Sequence, residues 1–62
     1  REHHPWVGHK IKELDISRHT LIVMIRRGDN AIVPNGDTLI KSGDIVFVFS
    51  KRYMADAQTI SV

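Results

Sequence analysis

The apolar residues near the start of the chain repeat at helical spacing. Val7, Ile11 and Leu14 are four and three residues apart, which places them on one side of a helix. The charged residues between them fall on the other side. This pattern predicts a short helix from about His9 to Leu14. Because a helix of fewer than two turns is unstable on its own, it is expected to pack against a sheet.

Two longer apolar segments follow, and both predict β-strands. Residues 20–27, TLIVMIRR, and residues 45–49, IVFVF, are rich in Val, Ile and Phe, which favour strands. The first segment has no polar residue between Leu21 and Arg26, so it is expected to be buried on both faces up to that point. Arg26 and Arg27 then fall on opposite faces, and we interpret them as the polar end of a strand.

Shorter extended segments lie around these two strands. Residues 31–34, AIVP, predict a brief strand that ends at Pro34, because proline cannot donate to a strand ladder. Residues 38–40 predict another short extended piece. The polar residues 1–5 are expected to be the end of a strand that begins in a longer parent protein. Residues 52–58, RYMADAQ, are predicted to begin a helix.

A Gly-Asp pair recurs at each junction between the predicted strands, at Gly28-Asp29, Gly36-Asp37 and Gly43-Asp44. Glycine tolerates positive φ, and aspartate accepts hydrogen bonds from nearby backbone amides, so the pair is typical of turns. Three carboxylates at three separate corners need not converge, as the ligands of a metal ion must. We therefore interpret the three pairs as turns.

The length, cysteine content and charge of the chain limit the classes of protein to which it can belong. The chain has 62 residues, no cysteine and a formal net charge of +2. A single domain of this size buries only a small core, so association with a second copy or with a parent protein is expected to stabilise it. The mild, scattered positive charge does not favour nucleic-acid binding. No apolar run approaches the roughly 20 residues that span a bilayer.

Catalytic and metal-binding chemistry find little support. No Ser-His-Asp or Cys-His arrangement has a structural context, so the chain is not expected to be an enzyme. The adjacent His3 and His4 point apart on an extended chain, and His9 and His19 would meet only through the fold. Zinc sites usually need three or four convergent ligands, so no metal site is assigned.

Several short motifs occur in a fixed order from Trp6 to about Val48. They are W-V-G-x-x-I-K-E-L-D-I, L-I-V-M-I-R-R-G-D, I-V-P-N-G-D-T and G-D-I-V-F-V. This series resembles the C-terminal domain of regulators of potassium conductance, the RCK C-terminal or TrkA-C domain. The resemblance implies one α+β domain over residues 1–62, with the core of the match at about 6–50. It implies a small β-α-β-β-β unit, with one short helix on a mostly antiparallel sheet, that pairs as a homodimer.

In several bacterial members of that family a small regulatory ligand lies between the two copies, and cyclic di-AMP is the best-known example. Carried over position by position, the resemblance implies a ligand site at Ile11, Asp15, Ile16, Arg18, His19 and Pro34. The apolar members would contact a purine, and Arg18 would pair with a phosphate. Each residue also has an ordinary alternative role in a core, a strand end or a solvated loop. Ser17 stands where the ligand-binding members typically have an arginine.

Three hypotheses remain open. The preferred one is a regulatory domain on the cytoplasmic side of the cell membrane that controls the membrane-embedded transport domain of its parent channel or transporter. It would act as a homodimer and bind cyclic di-AMP or another nucleotide. The second is a purely structural dimerisation domain of a transporter without a ligand. The third is a small metal-binding or nucleic-acid-binding module, for which zinc-dependent melting or steep salt dependence would be diagnostic.

Overall fold

The main architectural feature is one four-stranded antiparallel sheet, seen in a computed structural model that describes residues 4–51 and 57–62. Its strands are β1 (Thr20–Arg27), β2 (Asn30–Ile32), β3 (Ile45–Ser50) and β4 (Ala57–Ser61). Their spatial order is β2-β1-β3-β4. The predictions of a mostly antiparallel sheet and of its two long strands are confirmed, and the pairing of two copies stays a prediction.

The predicted helix from His9 to Leu14 is wrong. That segment contains only a single 3₁₀ turn, Ile11–Glu13. The amide of Ile11 donates instead to the carbonyl of Thr38 at 3.0 Å, because the segment runs beside residues 36–40. Backbone amides that bond to a distant segment cannot form the i→i−4 ladder of an α-helix. The segment with helical apolar spacing therefore forms a single 3₁₀ turn, which hydrogen bonds to residues 36–40 hold in place.

The two ends of the chain also differ from the predicted β-α-β-β-β order. Residues 1–3 of the expected first strand lie outside the described residues, and His4 accepts a turn hydrogen bond from the amide of Val7 at 3.0 Å. Most of the predicted C-terminal helix, residues 52–56, also lies outside them. Ala57 and Gln58 belong to β4, where pairing with β3 decides their conformation. The described fold is therefore four strands preceded by a 3₁₀ turn.

A β-bulge in β1 decides which side chains face the core. Ile22 pairs with Val48 and Met24 pairs with Phe47, so Val23 is an extra residue on β1. One inserted residue shifts the alternation of all the side chains that follow it. Met24 consequently lies on the same face as Leu21, and Ile25 turns towards the core.

The core lies on one face of the sheet. Ile25, Ile40 and Val46 are fully buried, and Val48 is 7% exposed. Partly buried residues from the N-terminal segment, including Trp6, pack against them. The opposite face has no comparable cover among the described residues.

The expectation that β1 is buried on both faces is therefore wrong for this chain. Leu21 remains 47% exposed and Val23 42% exposed. The physical reason is that the described residues form a single sheet, and the N-terminal segment covers only one of its faces. A strand whose apolar residues occupy both faces is typical of a sheet that is covered on both sides.

The first Gly-Asp pair forms the hairpin turn between β1 and β2, as predicted. Arg27 and Asn30 pair across it, which leaves two residues in the loop. Gly28 has a φ of +61°, whereas no described residue other than glycine has positive φ. Positive φ at the first loop position alone is the pattern of a type II′ turn, which favours glycine there.

The third Gly-Asp pair is more than a turn, because its carboxylate is buried in an ion pair. Asp44 is 1% exposed. The Nε of Arg27 donates to Oδ1 of Asp44 at 2.9 Å, and its Nη2 donates to Oδ2 at 2.8 Å. The same Nη2 donates to the Leu39 carbonyl at 2.9 Å. The interpretation of Arg27 as only a polar strand end is therefore corrected.

The surroundings of this ion pair shift both of its pKa values. Hydrogen bonds from Arg27 hold the pKa of Asp44 below its ordinary value of 3.8, although burial acts in the opposite direction. The amide of Lys41 adds a further donor to Oδ2 at 3.0 Å. The hydrogen bond to Asp44 likewise raises the pKa of Arg27. The ionised pair is therefore the form that the fold stabilises.

We expect Asp44→Asn to lower the free energy of unfolding by about 2–4 kcal/mol, because it leaves Arg27 without its charged acceptor and loses charge-assisted hydrogen bonds. The matched control is Asp37→Asn. Asp37 pairs with Lys12 at 2.9 Å, but both side chains are more than half exposed. Asp37→Asn should lower the free energy of unfolding by at most about 1 kcal/mol. Urea denaturation of the three chains checks this, and equal losses for both variants would contradict it.

The lowered pKa of Asp44 also predicts how stability depends on pH. Its contribution is fully present above the ordinary carboxyl value of 3.8 and is lost as the pH falls through the lower folded-state pKa. The difference in unfolding free energy between the wild type and Asp44→Asn should therefore stay constant from about pH 7 to about pH 5 and shrink in more acidic buffer. Urea denaturation across that series measures it. A difference that persists unchanged down to about pH 2 would refute the assignment.

Candidate functional site

An apolar groove lies beside the first half of β1. Its volume is about 250 Å³. One wall comes from the N-terminal segment, the floor from β1, and the other wall from the loop that follows β2. The lining residues are Ile11, Ile16, Thr20, Leu21, Ile22, Pro34, Asn35 and Gly36.

The groove exists because β2 is much shorter than β1. β2 pairs with β1 only from Ile25 to Arg27. Within the part of the chain that the structure describes, no strand lies against residues 20–24 on that side. β2 ends at Ile32, two residues earlier than the sequence predicted, and Pro34 cannot donate to a continued ladder. The chain thus leaves the sheet and forms a separate wall.

Local hydrogen bonds hold that wall in place. The side chain of Asn35 accepts from the amide of Asp37 at 2.8 Å, and the amide of Asn35 donates to the hydroxyl of Thr38 at 3.0 Å. The predicted turn at Gly36-Asp37 is present, but its Asx-type hydrogen bond comes from Asn35, while the carboxylate of Asp37 pairs with Lys12. The amide of Lys12 donates to the Gly36 carbonyl at 2.9 Å and joins this wall to the 3₁₀ turn. Hydrogen bonds of the backbone and of the Asn35 and Thr38 side chains therefore hold this wall and join it to the 3₁₀ turn.

The structure brings together half of the residues that the sequence suggested for a ligand site. Ile11, Ile16 and Pro34 all line the groove. The remaining three, Asp15, Arg18 and His19, are exposed in the loop before β1 and are not part of the lining.

Ser17 takes part in the conformation of that same loop. Its hydroxyl accepts a hydrogen bond from the amide of His19 at 3.1 Å, and its carbonyl accepts from the amide of Thr20 at 2.9 Å. Ser17 thus stabilises the conformation of this loop through its own hydrogen bonds.

Sequence reasoning missed five lining residues: Thr20, Leu21, Ile22, Asn35 and Gly36. The first three were assigned only to a strand and the last two only to a turn. A detectable signal was the difference in length between the two predicted strands, because the longer one must leave part of its edge unpaired.

The chemistry of the groove favours a largely apolar group. None of its lining residues is charged, and the side-chain polar groups are those of Thr20 and Asn35. Apolar walls with a few polar groups are typical of small-molecule sites. A ligand with phosphates would have to place them outside the lining, near the loop that carries Arg18 and His19.

The described residues offer little for a metal site or a membrane span. These residues contain no group of three or more His, Cys, Asp and Glu side chains placed to hold a metal ion. Nδ1 of His9 lies 3.8 Å from Oε1 of Glu13 on the surface. Nδ1 of His4 accepts a hydrogen bond from the amide of Trp6. None of the helical structure in residues 4–51 and 57–62 is long and apolar enough to cross a bilayer.

Comparison with known proteins gives the same family that the motifs indicated. Residues 1–57 match the TrkA-C domain family. The chain is also 35% identical over 46 residues to the Trk system potassium uptake protein TrkA of Streptomyces coelicolor. That alignment covers 74% of this chain but only 21% of the relative. The chain thus spans about a fifth of the length of the relative it matches.

Proposed function

We propose that this chain, which belongs to the TrkA-C domain family, is a regulatory domain of a potassium-transport system. The observation that carries the proposal is the family match over residues 1–57, joined by the similarity to a Trk potassium uptake protein. A regulatory role also fits the expectation that the chain is not an enzyme. It would act on the cytoplasmic side of the membrane, associated with the membrane-embedded component of the transporter.

The apolar groove is the proposed sensor site. Ile11, Ile16 and Pro34 converge there, as a purine-binding surface would require. Arg18 and His19 lie in the loop that leads into β1, where they are exposed to solvent and free to contact phosphates. The proposed ligand class is therefore a nucleotide, with cyclic di-AMP as its first representative.

Regulation would follow from pairing of two copies. A ligand can shift a conformational equilibrium only by the difference between its affinities for the two states. A nucleotide that binds better to one relative orientation of two copies would favour that orientation. The attached membrane component would then respond to the altered geometry of the pair.

The alternative is a structural dimerisation domain without a ligand. One observation favours it: the groove lining carries no charged side chain. The presence of Ser17, where the family resemblance implies an arginine in ligand-binding members, agrees with it. On this alternative the groove would be closed by protein rather than by a nucleotide. Both alternatives share the pairing of two copies.

The two alternatives differ in a calorimetric titration of the chain with a panel of nucleotides that includes cyclic di-AMP. We expect saturable binding at one ligand per dimer. Arg18→Ala should weaken it by about tenfold or more, because a charge-assisted pair with phosphate is lost. Lys41→Ala is the control, since it removes an exposed positive charge outside the groove lining and should leave affinity unchanged. A stable dimer that ignores the whole panel would favour the structural alternative.

A further inference from the structure

The backbone hydrogen bonds at the two ends of β3 fix which of its residues bond to which neighbouring strand. Successive residues of a strand in the middle of an antiparallel sheet direct their N–H and C=O groups to opposite neighbours. Just before β3, the carbonyl of Asp44 accepts from the amide of Val62, which follows β4, at 2.9 Å. Just after β3, the amide of Lys51 donates to the carbonyl of His19, which precedes β1, at 2.6 Å. The even-numbered residues of β3 therefore bond to β4, and the odd-numbered ones bond to β1.

This alternation decides which backbone groups of β1 are left without a strand partner. Phe49 is odd-numbered and pairs with Leu21, so Leu21 directs its backbone groups towards β3. Thr20 and Ile22 direct theirs to the other side, where β2 is too short to reach them. The amide of Thr20 donates to the Ser17 carbonyl at 2.9 Å. Among the described residues, none on that side bonds to the carbonyl of Thr20 or to the amide of Ile22.

These two free groups form an acceptor–donor pair at the groove. Thr20 and Ile22 both belong to the groove lining. A carbonyl and the amide two residues later lie side by side on one edge of an extended strand. A ligand that displaces water from both groups must replace both hydrogen bonds, because a desolvated backbone group without a partner opposes binding. The ligand therefore has to present a donor beside an acceptor on one of its own edges.

The pair suits a single ring system rather than an added strand. An added strand needs a continuous row of free backbone groups, but the amide of Thr20 is already bonded and the bulge at Val23 interrupts the row. The groove volume of about 250 Å³ also lies below the roughly 300–1,000 Å³ that is usual for sites of drug-sized ligands. The groove of one copy therefore accommodates one base of a nucleotide and not a whole dinucleotide.

We propose that the Thr20 carbonyl and the Ile22 amide recognise adenine by the edge of its six-membered ring. The carbonyl accepts from the exocyclic amino group, and the amide donates to the ring nitrogen N1. Guanine presents a carbonyl oxygen and a protonated N1 at the same positions. An acceptor would then face an acceptor and a donor would face a donor. The backbone of β1 thus selects adenine over guanine.

This inference rests on the proposed function and adds the base preference of the same site. Each copy has one such groove, and each groove takes one base. A ligand that carries two adenines would therefore occupy the grooves of both copies, which agrees with one ligand per dimer. Apolar contacts of Ile11, Ile16 and Pro34 hold the base, and the backbone pair reads its identity.

The first test compares three cyclic dinucleotides by calorimetric titration of the chain. They are cyclic di-AMP, cyclic di-GMP and the corresponding hypoxanthine compound. Hypoxanthine is the matched control, because it has the ring edge of guanine without the additional amino group. We expect the guanine and hypoxanthine compounds to bind at least about tenfold more weakly than cyclic di-AMP, since each base loses both backbone hydrogen bonds.

The outcomes of this titration separate the two proposals. Equal affinities for the adenine and hypoxanthine compounds overturn recognition by the backbone pair but leave the nucleotide site intact. A chain that binds none of the three compounds overturns both. Weak binding of the guanine compound together with tight binding of the hypoxanthine compound also overturns the backbone pair, because the additional amino group would then be the cause.

The second test observes the amide of Ile22 directly by two-dimensional NMR. In the free chain, we expect this amide to exchange with solvent faster than the amide of Leu21, which bonds to β3. On saturation with cyclic di-AMP, the amide proton of Ile22 should move downfield because it gains an acceptor, whereas that of Leu21 should move much less. Equal exchange of the two amides in the free chain, or an Ile22 resonance that saturation leaves in place, overturns the assignment.

Discussion

The ion pair between Arg27 and Asp44 is the interaction on which the rest of the structure depends. It joins the last residue of β1 to the residue directly before β3, seventeen positions apart. The backbone of Asp44 also binds the end of the chain, since its carbonyl accepts from the amide of Val62 at 2.9 Å. A buried carboxylate is tolerated only when hydrogen bonds replace its hydration, and three donors do so here. The end of β1, the start of β3 and the residue that follows β4 are thus held together at Asp44.

The guanidinium of Arg27 also connects the ion pair to the segment that forms one wall of the groove. It donates to the carbonyl of Leu39, whose neighbours hold the N-terminal segment: Leu39 forms a β-bridge with Lys10, and Ile40 accepts from the amide of Gly8 at 2.8 Å. That segment carries Ile11 and Ile16 into the groove wall. A connected set of hydrogen bonds therefore runs from the buried ion pair to the proposed sensor site.

The described residues form two apolar surfaces that differ in character. The groove is concave and suits a small, largely apolar group. The face opposite the core carries large apolar side chains of β1 and β3 beside short side chains of β4. Leu21 belongs to both surfaces, because it lines the groove and pairs with Phe49 on this face.

The sequence by itself determined the long strands, the turns and the family. Runs of Val, Ile and Phe favour extended backbone wherever they lie, and Gly28 has the conformational freedom that a two-residue hairpin turn requires. It also placed Arg26 and Arg27 on opposite faces, because alternation after the bulge is a local property.

Tertiary structure decided what local pattern cannot encode. The predicted helix failed because residues 36–40 compete for its backbone amides. The partner of Asp44 lies seventeen residues away, so its burial depends on how β1 and β3 pair rather than on its own neighbours. The bulge at Val23 moved Met24 to the face opposite the core, and the shortness of β2 opened the groove. Each outcome depends on contacts between distant segments, whose energies are absent from any short window of sequence.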